Sequence, residues 1–348
     1  EDNKPIGVDE FPLFYKFSGL GQFSRFPKAV LEDDPYPVRG LMILGGSPAL
    51  SFPDSKSWRE AYKKLDCLIV LDRYYTEDAR YADVVFPACS LFEVPKVVSG
   101  PEGPHIVEPL ITPVGESKND VLIMGAIAEK LGFGDKLPQT EEELREWLLS
   151  GTAPYAGDFG GESGKKQERH YKKYETGELR ADGKPGFPTP SGKLEICSTI
   201  LEENGFVPYP EYKDIRSIPE LAGEEYTFTM TSGARSNNRM GVFGANLDGI
   251  TAIEPYPLVD ICAEDAKEIG IEDGDMVKVI TPFADGTFKA KIRGIARHAI
   301  HIPHGGGSAY MAEPWKNGNV NDLCSLDYAD PMTGFVLIKS VPCRVEKV

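Results

Sequence analysis

Two glycine-rich stretches, a few carboxylates and a run of histidines are the residues whose types and spacing could do chemistry. Gly45-Gly46-Ser47 closes one short apolar run and Asp72 closes the next. Glycines let a backbone approach a phosphate closely, and a carboxylate can accept two hydrogen bonds from a ribose diol or a guanine edge. A tight turn and a surface Asp are the plainer reading, and the spacing is not the G-x-G-x-x-G of a nicotinamide site. His298, His301 and His304 form H-x-x-H-x-x-H. Pro303 and the flanking isoleucines favour a strand, which would turn His301 away from the other two, so geometry speaks against a three-histidine metal centre. His304-Gly305-Gly306-Gly307-Ser308 offers backbone amides that could cradle an anion or simply turn the chain. No Ser-His-Asp or Cys-His arrangement is local. The six cysteines (Cys67, Cys89, Cys197, Cys262, Cys324, Cys343) contain no C-x-x-C and read as scattered buried thiols.

The elements that must position these residues follow from periodicity. Leu41–Leu44, Cys67–Leu71 and Val84–Phe86 are short apolar runs that read as buried strands. Helical patterns lie between and after them, at Asp54–Leu65 with Ser57 and Glu60 spaced as a capping box, and more briefly at Thr76–Tyr81. Alternation of this kind is the signature of a parallel sheet covered on both faces. In such a sheet ligands bind at the carboxyl ends of the strands, where Gly45-Gly46-Ser47 and Asp72 fall. Asn119–Leu131 and Thr140–Leu149 add two helices, the second with Thr140 and Glu143 as a capping box. Residues 1–37 lack periodicity and read as a lead-in, and 151–190 as a polar Gly/Pro-rich excursion. From Tyr226 the pattern changes. Strands are predicted at Tyr226–Thr231, Met276–Thr281, Thr287–Arg293, Ala299–Ile302 and Cys343–Val348, with a hairpin turn at Asp285-Gly286 and a helix at Ala263–Ile269. Short strands in this number suggest a closed barrel.

The length, 348 residues, suggests two or three domains. With 54 acidic against 38 basic side chains the net charge is −16, which speaks against nucleic acid or an anionic membrane as partner. No apolar run approaches a transmembrane span. Residue 1 is Glu and no targeting signal is legible, so a native N-terminus is expected upstream. Compartment stays open, with the cytoplasm slightly favoured.

Read together, the same segments resemble the molybdopterin oxidoreductases of the dimethyl sulfoxide reductase family. Gly45-Gly46-Ser47-Pro48 followed by Pro53-Asp54 resembles that family's G-G-N-P…P-D stretch. Asp72-Arg73-Tyr74-Tyr75-Thr76-Glu77-Asp78-Ala79 and Ala82-Asp83-Val84-Val85-Phe86-Pro87-Ala88 resemble its D-x-F-x-T-E-T-A…A-D-V-V-L-P-A signature. Tyr174-Glu175-Thr176-Gly177 and Thr189-Pro190-Ser191-Gly192-Lys193-Leu194-Glu195 are similar to segments of one branch. The last 120 residues are similar to the family's dinucleotide-binding barrel and carry Thr231-Ser232-Gly233-Ala234-Arg235-Ser236, His304-Gly305, Asn319-Val320-Asn321 and Asp330-Pro331-Met332-Thr333-Gly334. Departures are visible. Ser47 stands where the family usually has Asn, Asp78 replaces the second Thr of T-E-T-A, and Gly241-Val242-Phe243-Gly244-Ala245 replaces the branch's H-S-E-x-R.

The resemblance implies an α/β fold: a Rossmann-like parallel-sheet domain at 1–150, a connecting region at 151–220 and a double-psi β-barrel at 221–348. It implies bis(molybdopterin guanine dinucleotide) carrying Mo or W, with a 4Fe-4S cluster only in an upstream part outside this chain. Gly45, Gly46, Ser47, Asp72, Thr76 and Asp83 become guanosine or phosphate contacts, and Gly233, Arg235, Ser236, His304, Gly305 and Asn321 become pterin contacts. It assigns no catalytic residue and no protein metal ligand within this chain. The implied function is the C-terminal cofactor-binding portion of an oxidoreductase, inactive in isolation, with a small-molecule substrate and an electron-transfer subunit as partners. Hydratase, hydroxyltransferase or dehydroxylase chemistry are alternatives within the family. A non-catalytic subunit gripping a nucleotide or partner chain is the alternative outside it.

Overall fold

The three apolar runs of the first third form β1 (Gly40–Leu44), β2 (Cys67–Asp72) and β3 (Val84–Pro87), a parallel sheet in that order. The computed structural model describes residues 4–100, 103–150, 171–233 and 247–348. These divide into two units, one of Glu1–Leu91, Pro113–Ile123 and Ile215–Val348, the other of Phe92–Thr112 and Met124–Asp214. Among the described residues no helix is long and apolar enough to cross a membrane.

In the first unit the supposed lead-in folds into two helices, α1 (Pro12–Ser18) and α2 (Phe26–Glu32). Each carries Pro in its first turn, where the missing N–H costs nothing. Helices α3 (Pro48–Ser51) and α4 (Ser55–Lys64) follow β1. Trp58 of α4 stacks on Phe26 with centroids 5.3 Å apart, and with Tyr62, Ile43, Leu68 and Val70 it forms the core over the sheet. The N-cap of α4 is Asp54, not Ser57: its carboxylate accepts the Ser57 N–H at 3.2 Å and the Ser57 hydroxyl at 2.8 Å. Residues 77–81 form turns, with Thr76 outside any element, rather than the predicted helix. Two buried carboxylates there, Glu77 and Asp78, are held by partners far along the chain, which outweigh a short local helical preference.

The second unit holds an antiparallel hairpin, β4 (Lys96–Gly100) with β5 (Gly103–Val107), which no sequence pattern foretold. Helix α5 (Asp120–Lys130) has its first turn in the first unit, and α6 (Glu141–Leu149) carries the expected capping box of Thr140 and Glu143. Tyr174 stacks on Phe187 at 5.3 Å and 9°. Glu195 accepts the Ser191 and Thr199 hydroxyls, which draws its carboxyl down to about 2.

The barrel belongs to the first unit. Its strands are β6 (Phe228–Ser232), β7 (Leu258–Ile261), β8 (Met276–Ile280), β9 (Asp285–Ile292), β10 (Ala299–Ile302) and β11 (Val341–Lys347), closed in the order β10-β6-β11-β8-β9-β7. The pairs β6–β10 and β7–β9 are parallel and the others antiparallel, in a double-psi barrel. Burial alternates along the strands, so Val277, Val279, Phe288, Ile300 and Ile302 fill the interior. The β8–β9 turn is Thr281–Ala284, earlier than predicted. The Thr281 hydroxyl accepts the N–H groups of Phe283 and Ala284, each at 3.2 Å, while Asp285 and Gly286 already pair with Ile280 and Val279. Gly286 serves packing, because a Cβ there would lie 2.9 Å from the Phe288 ring.

None of the six cysteines is in a disulfide. Cys262, Cys324 and Cys343 are buried as expected, but Cys67 and Cys197 are exposed and Cys89 is intermediate. Burial pushes the Cys324 and Cys343 thiols up to about 12, so both are inert at neutral pH.

Candidate functional site

The carboxyl ends of β1 and β2 bring together Gly45, Gly46, Ser47, Asp72 and Thr76. Gly45 turns the chain out of β1 at φ 59°, with its N–H on the Leu71 carbonyl at 2.9 Å, and a Cβ there would meet nothing within 4 Å. Asp72 ends β2 and accepts the Tyr74 N–H at 3.0 Å. Thr76 accepts the Ala79 N–H at 3.2 Å. Asp120, at the start of α5, joins this end of the sheet. Burial, then the charge of Asp72, raises its carboxyl above the ordinary range.

Ser47 is the N-cap of α3, and its hydroxyl donates to Asp78. Asp78 has no exposed surface and also accepts the Ala49 N–H at 3.0 Å and the Tyr62 hydroxyl at 2.8 Å. Burial raises the Asp78 carboxyl despite these donors, and burial beside Asp78 raises the Tyr62 phenol.

Asp83 is not brought to this group. It precedes β3, at the amino end of the sheet, and its carboxylate accepts the Leu68 N–H at 2.7 Å.

On the barrel side, the Nδ2 of Asn321 donates to the Leu50 carbonyl at 2.7 Å and lies 3.4 Å from Nδ1 of His304. The main-chain carbonyl of Asn321 accepts the Asp54 N–H at 2.9 Å. Asn319 reaches Ser55 at 3.0 Å, and Asp322 pairs with Arg59 at 2.9 Å. The turn 319–322 thus docks on α3 and α4, and α3 carries both the Ser47 N-cap and the Leu50 carbonyl that holds Asn321. Gly233 follows β6 at φ 108°, exposed. Arg235, Ser236 and the segment 241–245 lie outside the described residues.

The triglycine loop is fixed by packing. Gly306 and Gly307 have φ of 92° and 96°, and a Cβ would lie 2.6 Å from the Gly318 carbonyl and 2.7 Å from Asn319 Cβ respectively. The Gly307 N–H is used by the Trp315 carbonyl at 2.8 Å. Glu77, buried, accepts the Ala309 N–H at 3.0 Å and pairs with Arg80 at 3.2 Å. His301 lies on β10 with Nδ1 3.3 Å from Asp260, while His298 precedes the strand at φ 56°. Among the described residues no group of three His, Cys, Asp or Glu could hold a metal ion.

Sequence reasoning passed over Glu77, Asp78, Asn319 and Asp120 as site-forming residues. The first two lie inside the quoted signature and Asn319 inside Asn319-Val320-Asn321, so the motif itself was the signal. Asp120 had none beyond its place in a first helical turn.

Two family models match the chain, "Molybdopterin oxidoreductase" over residues 27–130 and "Molydopterin dinucleotide binding domain" over residues 230–342. Among curated relatives, the probable oxidoreductase YoaE of Bacillus subtilis is 31% identical over 265 residues, covering 74% of this chain and 37% of the relative. The acetylene hydratase of Syntrophotalea acetylenica is 25% identical over 306 residues, covering 83% and 40%. The chain thus spans about two-fifths of the length of these relatives. The solved acetylene hydratase from Pelobacter acetylenicus shares the fold, with TM-score 0.80 at 20% identity over 99% of this chain and 52% of that one. With both models matched in the order in which the motifs run, and with the sheet and barrel that they imply, the chain belongs to the molybdopterin oxidoreductases of the dimethyl sulfoxide reductase family.

Proposed function

We propose that this chain holds bis(molybdopterin guanine dinucleotide), with Mo or W, as part of an oxidoreductase. Turnover then needs sequence of the kind that fills the other three-fifths of its relatives. The observation that carries this reading is the convergence of Gly45 and Asp72 at neighbouring strand ends, inside a chain that both family models match. The residues fit the guanosine end of that cofactor. Gly45 leaves open space where a phosphate would approach, and Asp72 offers acceptors to a base edge rich in donors.

When bound, the cofactor supplies metal-centred two-electron or oxygen-atom chemistry. The chain's own residues bind and orient it. Asp72 and Thr76 take the guanosine side, the Gly45–Ser47 turn takes the phosphate, and His304, Gly305 and Asn321 take the pterin side, together with Gly233, Arg235 and Ser236. Residues 1–150 then form the guanosine-side domain and 221–348 the pterin-side barrel, joined through 151–220. A small molecule is the substrate, and hydration without net redox change, hydroxyl transfer or dehydroxylation are the alternatives within the family.

Metal analysis and acid-released guanine nucleotide, measured on the protein expressed from its native reading frame in a cofactor-producing host, test the reading. About one Mo or W and two guanine nucleotides per chain are expected for a bis-dinucleotide cofactor. A folded protein with neither would leave a non-catalytic binding subunit in its place.

A further inference from the structure

The strand-end surface holds one more built feature, outside the residues carried by the motifs. Tyr75, three residues past Asp72, and Tyr310, six past His304, meet edge to face with ring centroids 5.1 Å apart and planes at 87°. Their exposures are 55% and 50%, so each keeps half its surface open. One buried carboxylate ties together the loops that carry them. Glu77, 2% exposed, accepts the Ala309 N–H at 3.0 Å, the Ser308 hydroxyl at 3.4 Å and the Arg80 guanidinium at 3.2 Å.

Two exposed tyrosines alone would be unremarkable. A pair drawn from chain segments more than two hundred residues apart, locked by a buried anchor and left half open, is a prepared surface. An edge-to-face pair occupies one ring face and one ring edge, so further faces stay available to a third flat ring.

We propose that Tyr75 and Tyr310 form an aromatic wall on which the guanine base of a nucleotide held at the carboxyl end of β2 stacks. This rests on the function proposed above. Asp72 meets donors in the plane of the base, while the wall covers its face. In-plane hydrogen bonds identify the base, and stacking adds affinity that any base could share.

Calorimetric titration of guanosine diphosphate into the protein expressed from its native reading frame, in a host that does not load the cofactor, tests the wall. The variants are Tyr75→Ala with Tyr310→Ala, Tyr75→Phe with Tyr310→Phe, and Asp72→Ala. The double alanine variant is expected to bind about tenfold or more weakly, the usual loss when a stacking ring is removed. The double phenylalanine variant should stay within about threefold of the parent, since stacking uses rings and not hydroxyls. Melting temperature checks folding, and a double variant that melts early is replaced by the two single alanine variants. Undiminished binding by the alanine variants, with weak binding by Asp72→Ala, would overturn the wall and leave the dinucleotide reading intact. No binding by the parent chain would remove both.

Discussion

The hydroxyl of Ser47 donates a hydrogen bond to the carboxylate of Asp78. These are the two positions at which the strand-end motifs depart from the family's usual Asn and Thr, so the two departures form one contact. An acid in place of Thr brings a buried acceptor, and Ser in place of Asn brings a hydroxyl to meet it. Tyr62 and the Ala49 amide complete its set of donors. The contact sits where β1 feeds α3, one residue past the Gly45–Gly46 turn.

Exchanging the pair tests that coupling. Ser47→Asn and Asp78→Thr should each destabilise the chain, and the double exchange should cost less than the sum, with a coupling of about 0.5–3 kcal/mol. Urea denaturation of the four proteins measures it. Strict additivity would show that the two positions vary independently.

A pH dependence follows from Asp78. Burial raises its carboxyl, so the folded chain keeps a proton that the unfolded chain has already released. Stability is then lost as pH rises through the raised value, and Asp78→Asn lacks that loss. Urea midpoints taken between about pH 4 and 7 should fall for the parent relative to Asp78→Asn, the window starting near the ordinary carboxyl range. Parallel curves would show that the group is ionised throughout.

Asn321 and Asp72 should separate when each is changed to alanine. Asn321 ties the barrel turn to the Leu50 carbonyl, so its loss should cost about 1–3 kcal/mol of stability before any cofactor is considered. Asp72 takes one backbone N–H beside it, and its loss should leave stability within about 1 kcal/mol while lowering guanine nucleotide content. Thermal melts with nucleotide release on the same samples distinguish them. A strongly destabilised Asp72→Ala would recast that residue as a structural one.

Glycine substitutions should divide the same way. Gly307→Ala sets a Cβ 2.7 Å from that of Asn319 at φ 96°, and a loss above about 2 kcal/mol is expected. Gly45→Ala enters open space at φ 59° and should cost about 1 kcal/mol, yet crowd an approaching phosphate. Denaturation midpoints compared with nucleotide retention decide this. Equal stability losses would mean that the Gly45 turn has no special room.

What was legible in the sequence was what repeats locally. Leu41–Leu44, Cys67–Leu71 and Val84–Phe86 announced the parallel sheet, because strands buried on both faces are continuous apolar runs. Thr140 and Glu143 announced a cap because both halves lie within one turn. Long-range partners were not legible. The motif holding Asp83 reads the same whichever way its carboxylate points, and only the fold shows it turned to the Leu68 amide at the sheet's other end. The helix expected at 76–81 failed for the same reason, since Glu77 finds its partner at Ala309. Asp285-Gly286 has the composition of a hairpin turn, but the Thr281 hydroxyl closes the turn before it. The helices at 12–18 and 26–32 were missed because a single turn or two shows no period.

The order of barrel closure has a kinetic consequence. β6 lies between β10 and β11, so its two partners are made about seventy or more residues after it. The strand must wait with both edges unsatisfied while the ribosome adds the rest. Non-local pairing of this kind slows folding, and open strand edges invite association with other chains. The β1–β3 sheet, whose neighbours follow one another directly, can assemble early. The turn 319–322 then docks on a surface already formed, which makes α3 and α4 the template for the last steps. Truncation before β10 should therefore yield a chain that aggregates, while one cut before β6, which carries none of the barrel strands, should stay dispersed.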